Sequence, residues 1–142
     1  MTPADAAARY IAYFETLSPA RVAALDTVCA EAVHFRDPFN DVRGIAAMRR
    51  VFEKMYDDVR NARFAVLDHA VSGARPIAYL RWRFTGKTRL GAVTIEGMSE
   101  VHLGDDGRAV AHIDHWDAAG QLYERVPVAG AMLRWVRRRA SA

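Results

Sequence analysis

Four strand-like stretches set apart by turn residues fill the middle of the chain and constrain everything around them. Phe64–Leu67, Ala78–Thr85, Val93–Leu103 and Ala109–Trp116 are separated by Ser72-Gly73, by the segment Gly86 to Gly91, and by Gly104-Asp105-Asp106-Gly107. Gly, Ser and Asp allow the backbone reversals that short connections need, so the four stretches are expected to pair as an antiparallel meander. Side chains alternate across a strand. Leu80, Trp82 and Phe84 therefore share one face, with Tyr79, Arg81 and Arg83 on the other. In the third strand Ile95, Gly97, Ser99, Val101 and Leu103 lie opposite Thr94, Glu96, Met98, Glu100 and His102. One face of this sheet is apolar and needs a cover.

The cover is written before the sheet. Thr2-Pro3-Ala4-Asp5 is a helix start, with a capping hydroxyl, a proline in the first turn and an acid that complements the helix dipole. Ala7, Tyr10, Ile11, Phe14 and Leu17 follow at three- and four-residue intervals, which places Tyr10 on the apolar face. Ser18-Pro19 opens a short second helix carrying Val22 and Leu25, ending near Cys29. Val33 to Asp37 alternates as a short strand closed by Pro38, and Phe39 to Gly44 reads as a loop. Ile45, Met48, Val51, Phe52, Met55, Tyr56 and Val59 trace a third helix with a wide apolar face. Pro127 opens a last helix whose apolar members are Val128, Met132, Leu133, Trp135 and Val136. Helices segregated to one face of an antiparallel sheet give an α+β fold.

At 142 residues the chain is expected to form a single domain over residues 1–142, with residues 127–142 as its C-terminal helix and basic tail. The net charge is +3, but Arg134, Arg137, Arg138 and Arg139 alone supply four positive charges, and without them the body carries −1. Nucleic-acid binders spread basic residues over a face among stacking aromatics; here the excess sits at a helix end, so no nucleic-acid partner is expected. Cys29 is the only cysteine, which excludes an intrachain disulfide and a thiolate cluster. No run of about 18 apolar residues exists, and Met1 to Asp5 lacks a signal-peptide pattern, so a cytoplasmic protein without a membrane partner is expected.

Few residues speak about chemistry. Asp37 is either a general base raised toward neutrality by a dry pocket or an acid turning the chain into Pro38. Tyr10 is either an oxyanion donor or a core tyrosine whose hydroxyl finds any partner. His112 and Asp114 form an i, i+2 pair on one strand face. Asp114, among Trp82, Phe84 and Trp116, needs a partner or a function, because an unpaired buried charge is costly. Alternation divides His112 and Asp114 from His115 and Asp117, too few ligands on either face for a zinc site. No HExxH, phosphate-binding glycine loop or GxSxG elbow occurs, and no metal or cofactor is expected.

Ala8-Arg9-Tyr10-Ile11 on the first helix, Phe35-Arg36-Asp37-Pro38-Phe39 at the end of the first strand and Ile113-Asp114-His115-Trp116-Asp117 in the last strand resemble the nuclear transport factor 2 (NTF2)-like superfamily over about residues 5 to 120. The chain looks most like its SnoaL-like and ketosteroid isomerase-like members. That resemblance implies a cone: a strongly curved, mostly antiparallel sheet with three N-terminal helices on its concave face, closing on an apolar pocket. It implies a homodimer paired through the outer sheet face, where Tyr79, Arg81, Arg83, Met98 and Glu100 would lie. By resemblance to the isomerases, Asp37 is the base and Tyr10 an oxyanion donor. Ser99 stands where the isomerases carry a protonated Asp as second donor. By resemblance to the cyclases, Asp114, with His112 beside it, is the acid/base late in the sheet; the isomerase register turns His112, Asp114 and Trp116 inward and His115 and Asp117 outward. Phe14, Phe35, Phe39, Phe52, Tyr56, Leu80, Trp82, Phe84, Val101 and Trp116 would shape the pocket. The implied activity is cofactor-independent isomerisation or cyclisation of a small apolar carbonyl compound by proton transfer. The alternative is a non-catalytic module that binds an apolar ligand or only dimerises.

Overall fold

A computed structural model describes residues 1–122 and 127–141. Helix α1 spans Pro3–Glu15 and is followed by a 3-10 helix, Pro19–Thr27. Strand β1 (Cys29–Arg36) and the short β2 (Asp41–Arg43) lead into α2 (Ile45–Asp58). Strands β3 (Arg60–Val71), β4 (Ile77–Thr88), β5 (Gly91–Leu103) and β6 (Ala109–His115) come next, then the one-turn helix α3 (Ala118–Gln121) and α4 (Pro127–Ala140). The architecture is α+β, with one curved, unclosed six-stranded sheet in the order β2-β1-β6-β5-β4-β3.

The expected meander is present as β3 to β6, all antiparallel neighbours. β1 lies parallel to β6, a pairing made possible because the intervening 70-odd residues can carry the chain back around the sheet. Several elements depart from the sequence reading. The segment after Pro38 is not all loop, because residues 41–43 return as β2 against His34, Phe35 and Arg36. β1 begins at Cys29 rather than Val33, and the second helix is of 3-10 form. β3 runs from Arg60 to Val71, well beyond Phe64–Leu67, because its polar flanks pair with β4 across a bulge. A strand edge is stabilised by ladder bonds that alternation alone does not reveal.

Local chemistry explains the ends of α1. Thr2 Oγ1 accepts from the Asp5 amide at 3.1 Å, and the Asp5 carboxylate accepts from the Thr2 amide at 3.1 Å, closing the reciprocal cap that the sequence announces. Ala6, Ala7, Tyr10, Tyr13 and Phe14 of α1, Val22 and Leu25 of the 3-10 helix, and Met48 and Phe52 of α2 pack with Phe35, Leu80, Trp82, Phe84, Ile95 and Val101 of the sheet. Each of the aliphatic side chains larger than alanine and each phenylalanine stabilises the fold by roughly 1.5–3 kcal/mol through removal from water.

The sheet needs one special position. A Cβ on Gly97 would lie 2.7 Å from Trp82 Cζ2, 2.8 Å from the His115 carbonyl oxygen and 2.9 Å from Trp116 Cβ. Only glycine lets the indole of Trp82 cross β5 here. Just beyond, β6 has ended, and the side-chain amide of Gln121 takes its place: it accepts from the Glu96 amide at 2.7 Å and donates to the Glu96 carbonyl at 2.9 Å. The last helix, α4, keeps Met132, Trp135 and Val136 half-exposed or more. The side chains of Val128 and Leu133, also expected on its apolar face, lie outside the described residues.

Candidate functional site

Between α2 and the concave face of the sheet lies an open cavity of about 540 Å³. Its walls come from the end of β1 and the following loop (Phe35, Asp37, Phe39, Asn40), from α2 and its C-cap (Val51, Phe52, Lys54, Met55, Asp58, Val59), and from the sheet (Phe64, Trp82, Phe84, Ile95, Asp114), closed by Trp116. Alternation brings Trp82 and Phe84 of β4, Ile95 of β5 and Asp114 of β6 to one face. The helical period does the same for Val51, Met55 and Asp58 on α2.

Behind this wall a chain of buried polar groups ends at Asp114. The Tyr10 hydroxyl is 2.6 Å from His112 Nδ1, and His112 Nε2 is 2.6 Å from Asp114 Oδ1. Ser99 donates to the same Oδ1, and the Trp82 indole N–H donates to Ser99 Oγ at 2.8 Å. Where Asp114 Oδ1 accepts from both Ser99 and His112, Nε2 of His112 is the donor and Nδ1 accepts the Tyr10 proton. Burial pushes the Tyr10 hydroxyl well above its ordinary pKa, with the neighbouring Cys29 thiol adding to it. Cys29, 3.7 Å from the Tyr10 oxygen, is itself pushed up by burial to about 12. Both therefore remain protonated donors. Every donor in the set points, directly or through a neighbour, at one carboxylate oxygen; Asp114 Oδ2 has no hydrogen-bond partner among the described residues.

The strand register is the expected one. Ser99 faces Asp114 and Val101 faces His112, whereas His115 lies on the outer side, bonded to Glu100 at 2.6 Å, and Asp117 caps α3. Tyr10, His112 and Ser99 are nonetheless set back from the cavity: they are 2%, 5% and 2% exposed and do not line it. Sharing a sheet face does not mean sharing an opening. Tyr10 and Ser99 thus reach Asp114, directly or through His112, rather than an oxyanion in the cavity.

Asp37 is placed at the mouth by an Asx turn. Its Oδ1 accepts from the amides of Phe39 (2.8 Å) and Asn40 (2.7 Å) and from Asn40 Nδ2 (3.0 Å). Both readings of this residue meet in the structure, since Asp37 organises the turn and also lines the cavity. Burial raises its pKa above the ordinary value despite those hydrogen bonds, and Asp114 nearby adds to the rise.

Of the expected pocket residues, Phe35, Phe39, Phe52, Trp82, Phe84 and Trp116 line the cavity. Phe39 is half-exposed and meets Trp116 edge-on at 5.5 Å between ring centroids. Phe14, Leu80 and Val101 are corrections: they fill the core behind it, where helix side chains occupy the same sheet face. Tyr56 turns to a neighbouring cavity of about 910 Å³.

Similarity to known proteins now has a geometry to stand on. The SnoaL-like domain family matches residues 10–112. The chain belongs to that family. Its fold is the NTF2-like fold, and solved structures agree. An NTF2-like protein of unknown function from Exiguobacterium superposes with a TM-score of 0.68 at 18% identity, covering 79% of this chain and 98% of that one. A SnoaL-like polyketide cyclase assignment from Shewanella putrefaciens gives 0.71 at 14% identity over 89% and 96%. An LEH-like epoxide hydrolase from Mycobacterium tuberculosis gives 0.67 at 12% identity over 92% and 93%. No curated protein matches the chain in sequence.

In this SnoaL-like chain the sequence reading missed Asn40, Val51, Lys54, Met55, Asp58, Val59, Phe64 and Ile95 as wall residues. The signal for several was present: Val51, Met55 and Val59 belong to the apolar stripe of α2, and Ile95 shares the inward face of β5. Lys54 and Asp58 carried none, since an i, i+4 ion pair, here 3.2 Å, is an ordinary surface feature.

Proposed function

We propose that this cavity is the active site of a cofactor-independent enzyme that moves a proton on a small apolar carbonyl compound, in an isomerisation or cyclisation. The observation that carries the reading is the convergence of buried donors on Asp114 Oδ1 while Asp114 itself lines an apolar cavity. A carboxylate oriented by two donors on one oxygen keeps the other for a reacting C–H. Asp114 Oδ2 would take the proton next to the carbonyl, the C–H pair passing into an enolate. The proton would return to another carbon in an isomerisation; in a cyclisation the enolate would add to a second carbonyl and the resulting alkoxide would take the proton back from Asp114. Asp37, with its raised pKa, is the second acid/base group across the cavity. His112, Ser99, Tyr10 and Trp82 are positioning residues in this scheme. Opening an epoxide with an Asp-Arg-Asp set is disfavoured, because no arginine lines the cavity among the described residues.

The test is hydrogen–deuterium exchange at the α-carbon of 2-tetralone in D₂O, followed by proton NMR. Wild type is expected to accelerate exchange over buffer and Asp114→Asn to lose about 10²-fold or more of that acceleration. Equal exchange by the folded variant, or none above buffer by wild type, overturns the proposal and leaves a binding module. The outer sheet face, where Tyr79 and Met98 are exposed between the Arg83–Glu96 and His115–Glu100 pairs, is the surface we propose joins two copies. A native mass spectrum reads that directly.

A further inference from the structure

The charges around the cavity say what kind of molecule it can hold. Asp37, Asp58 and Asp114 line it, against the single cation Lys54. Lys54 lies 3.2 Å from Asp58, and both are largely exposed, so that pair cancels at the rim. What remains is Asp37 at the mouth and Asp114 in the wall, a formal charge of −2 with no cation among the described lining residues besides Lys54. Around them stand seven aromatic rings, those of Trp82 and Trp116 among them. Ring faces carry partial negative charge and attract cations, most strongly where water is excluded. Carboxylates and ring faces together therefore favour a positive group and oppose a negative one.

The neighbouring cavity has the opposite sign. Arg60, Arg63 and Lys87 line it with the single acid Glu15 and with Arg83, whose charge is met by Glu96 at 2.8 Å, and Val59 and Phe64 form part of both walls. The two cavities therefore differ in the sign of their lining charge.

We infer that the cavity at Asp114 takes a compound with an apolar body and a protonated amine, the ammonium seated between the two carboxylates and the aromatic rings. This rests on the cavity being the ligand site, and it narrows the substrate to an amine-bearing carbonyl compound. One positive charge against two carboxylates leaves a formal charge of −1 at the site, so a carboxylate remains ionised for proton transfer. A neutral ligand of the same shape leaves both carboxylates repelling each other in a dry wall, which disfavours its complex.

Three probes of one shape separate the possibilities: 2-aminotetralin, 2-tetralol and tetralin-2-carboxylate, each titrated at pH 7 by calorimetry and by quenching of Trp82 and Trp116 fluorescence. The amine is expected to bind at least tenfold tighter than the alcohol, and the carboxylate at least tenfold weaker than the alcohol or without tryptophan quenching. Asp114→Asn and Asp37→Asn, each checked for a native circular-dichroism spectrum, are each expected to reduce the preference for amine over alcohol about tenfold. Equal binding of amine and alcohol, preference for the carboxylate, no binding of any probe, or an amine preference unchanged in both variants overturns the inference. The readouts are independent. Amine preference without α-exchange of either 2-tetralone or an aminomethyl-2-tetralone removes the proposed reaction and keeps the ligand class; exchange without amine preference does the reverse.

Discussion

Replacing Tyr10 by phenylalanine removes a single oxygen from the core and tests whether the buried polar chain is a coupled unit. That oxygen is 2.6 Å from His112 Nδ1 and 3.7 Å from Cys29 Sγ. The rings of Tyr10, Phe14 and Phe35 lie 5.7, 5.7 and 5.3 Å from the imidazole by centroid, and none of the other two can donate a hydrogen bond. Nδ1 is therefore left as a buried acceptor with no partner. An orphaned buried group of this kind costs about 1–3 kcal/mol. With a urea dependence of about 2 kcal/mol per molar, that moves the denaturation midpoint down by roughly 0.5–1.5 M. Ring packing is kept, so the slope of the transition should not change. In a His112→Ala background the same substitution leaves only the weak Cys29 thiol without its partner, and its cost should fall by about 0.5–3 kcal/mol, the coupling range of residues in one network. A midpoint shift below about 0.2 M, or full additivity with His112→Ala, would refute the directional arrangement of donors argued above.

Two further outcomes follow from the same geometry. Gly97→Ala drives a methyl against the His115 carbonyl and the Trp82 indole; because one of those atoms is backbone, the cost should reach roughly 1–3 kcal/mol, the range for an overpacked core, and thermal melting would expose the error if the midpoint hardly moved. For Asp37 the folded carboxyl holds its proton more tightly than the unfolded one. Its contribution to stability is complete below the unfolded value near 3.8 and is lost as pH rises through the raised folded value. Wild type should therefore lose stability relative to Asp37→Asn as pH climbs from about 4, with the difference level at neutral pH, and parallel denaturation curves at every pH would contradict it.

Much of the site's membership could be read in one dimension. Asp37-Pro38 at a strand end, and His112 and Asp114 two residues apart, identified their own neighbourhood because strand alternation is a local rule that survives folding. The same rule put Ser99 and Asp114 each on the inward face. It could not say that Tyr10, His112 and Ser99 would be sealed behind the wall. That depends on which stretch of the sheet face the helices fill and which they leave open, and it is a property of packing between α1, α2 and the sheet. Leu80 and Val101 against Trp82 and Phe84 make the same point: identical periodicity, one pair in the core and one at the cavity.

The sequence by itself determined the helix starts, the inward and outward faces of the meander, the α+β class and the presence of acids on an apolar face, since each follows from neighbours within a few residues. Tertiary structure decided the parallel docking of β1 on β6, the return of residues 41–43 as β2, and the replacement of a missing strand by the Gln121 amide. It alone made Asp114 Oδ1 the meeting point of donors from three strands and, through His112, from α1. Hydrogen bonds between groups 15 to 102 residues apart are closed by the fold, and no local pattern in the chain encodes their geometry.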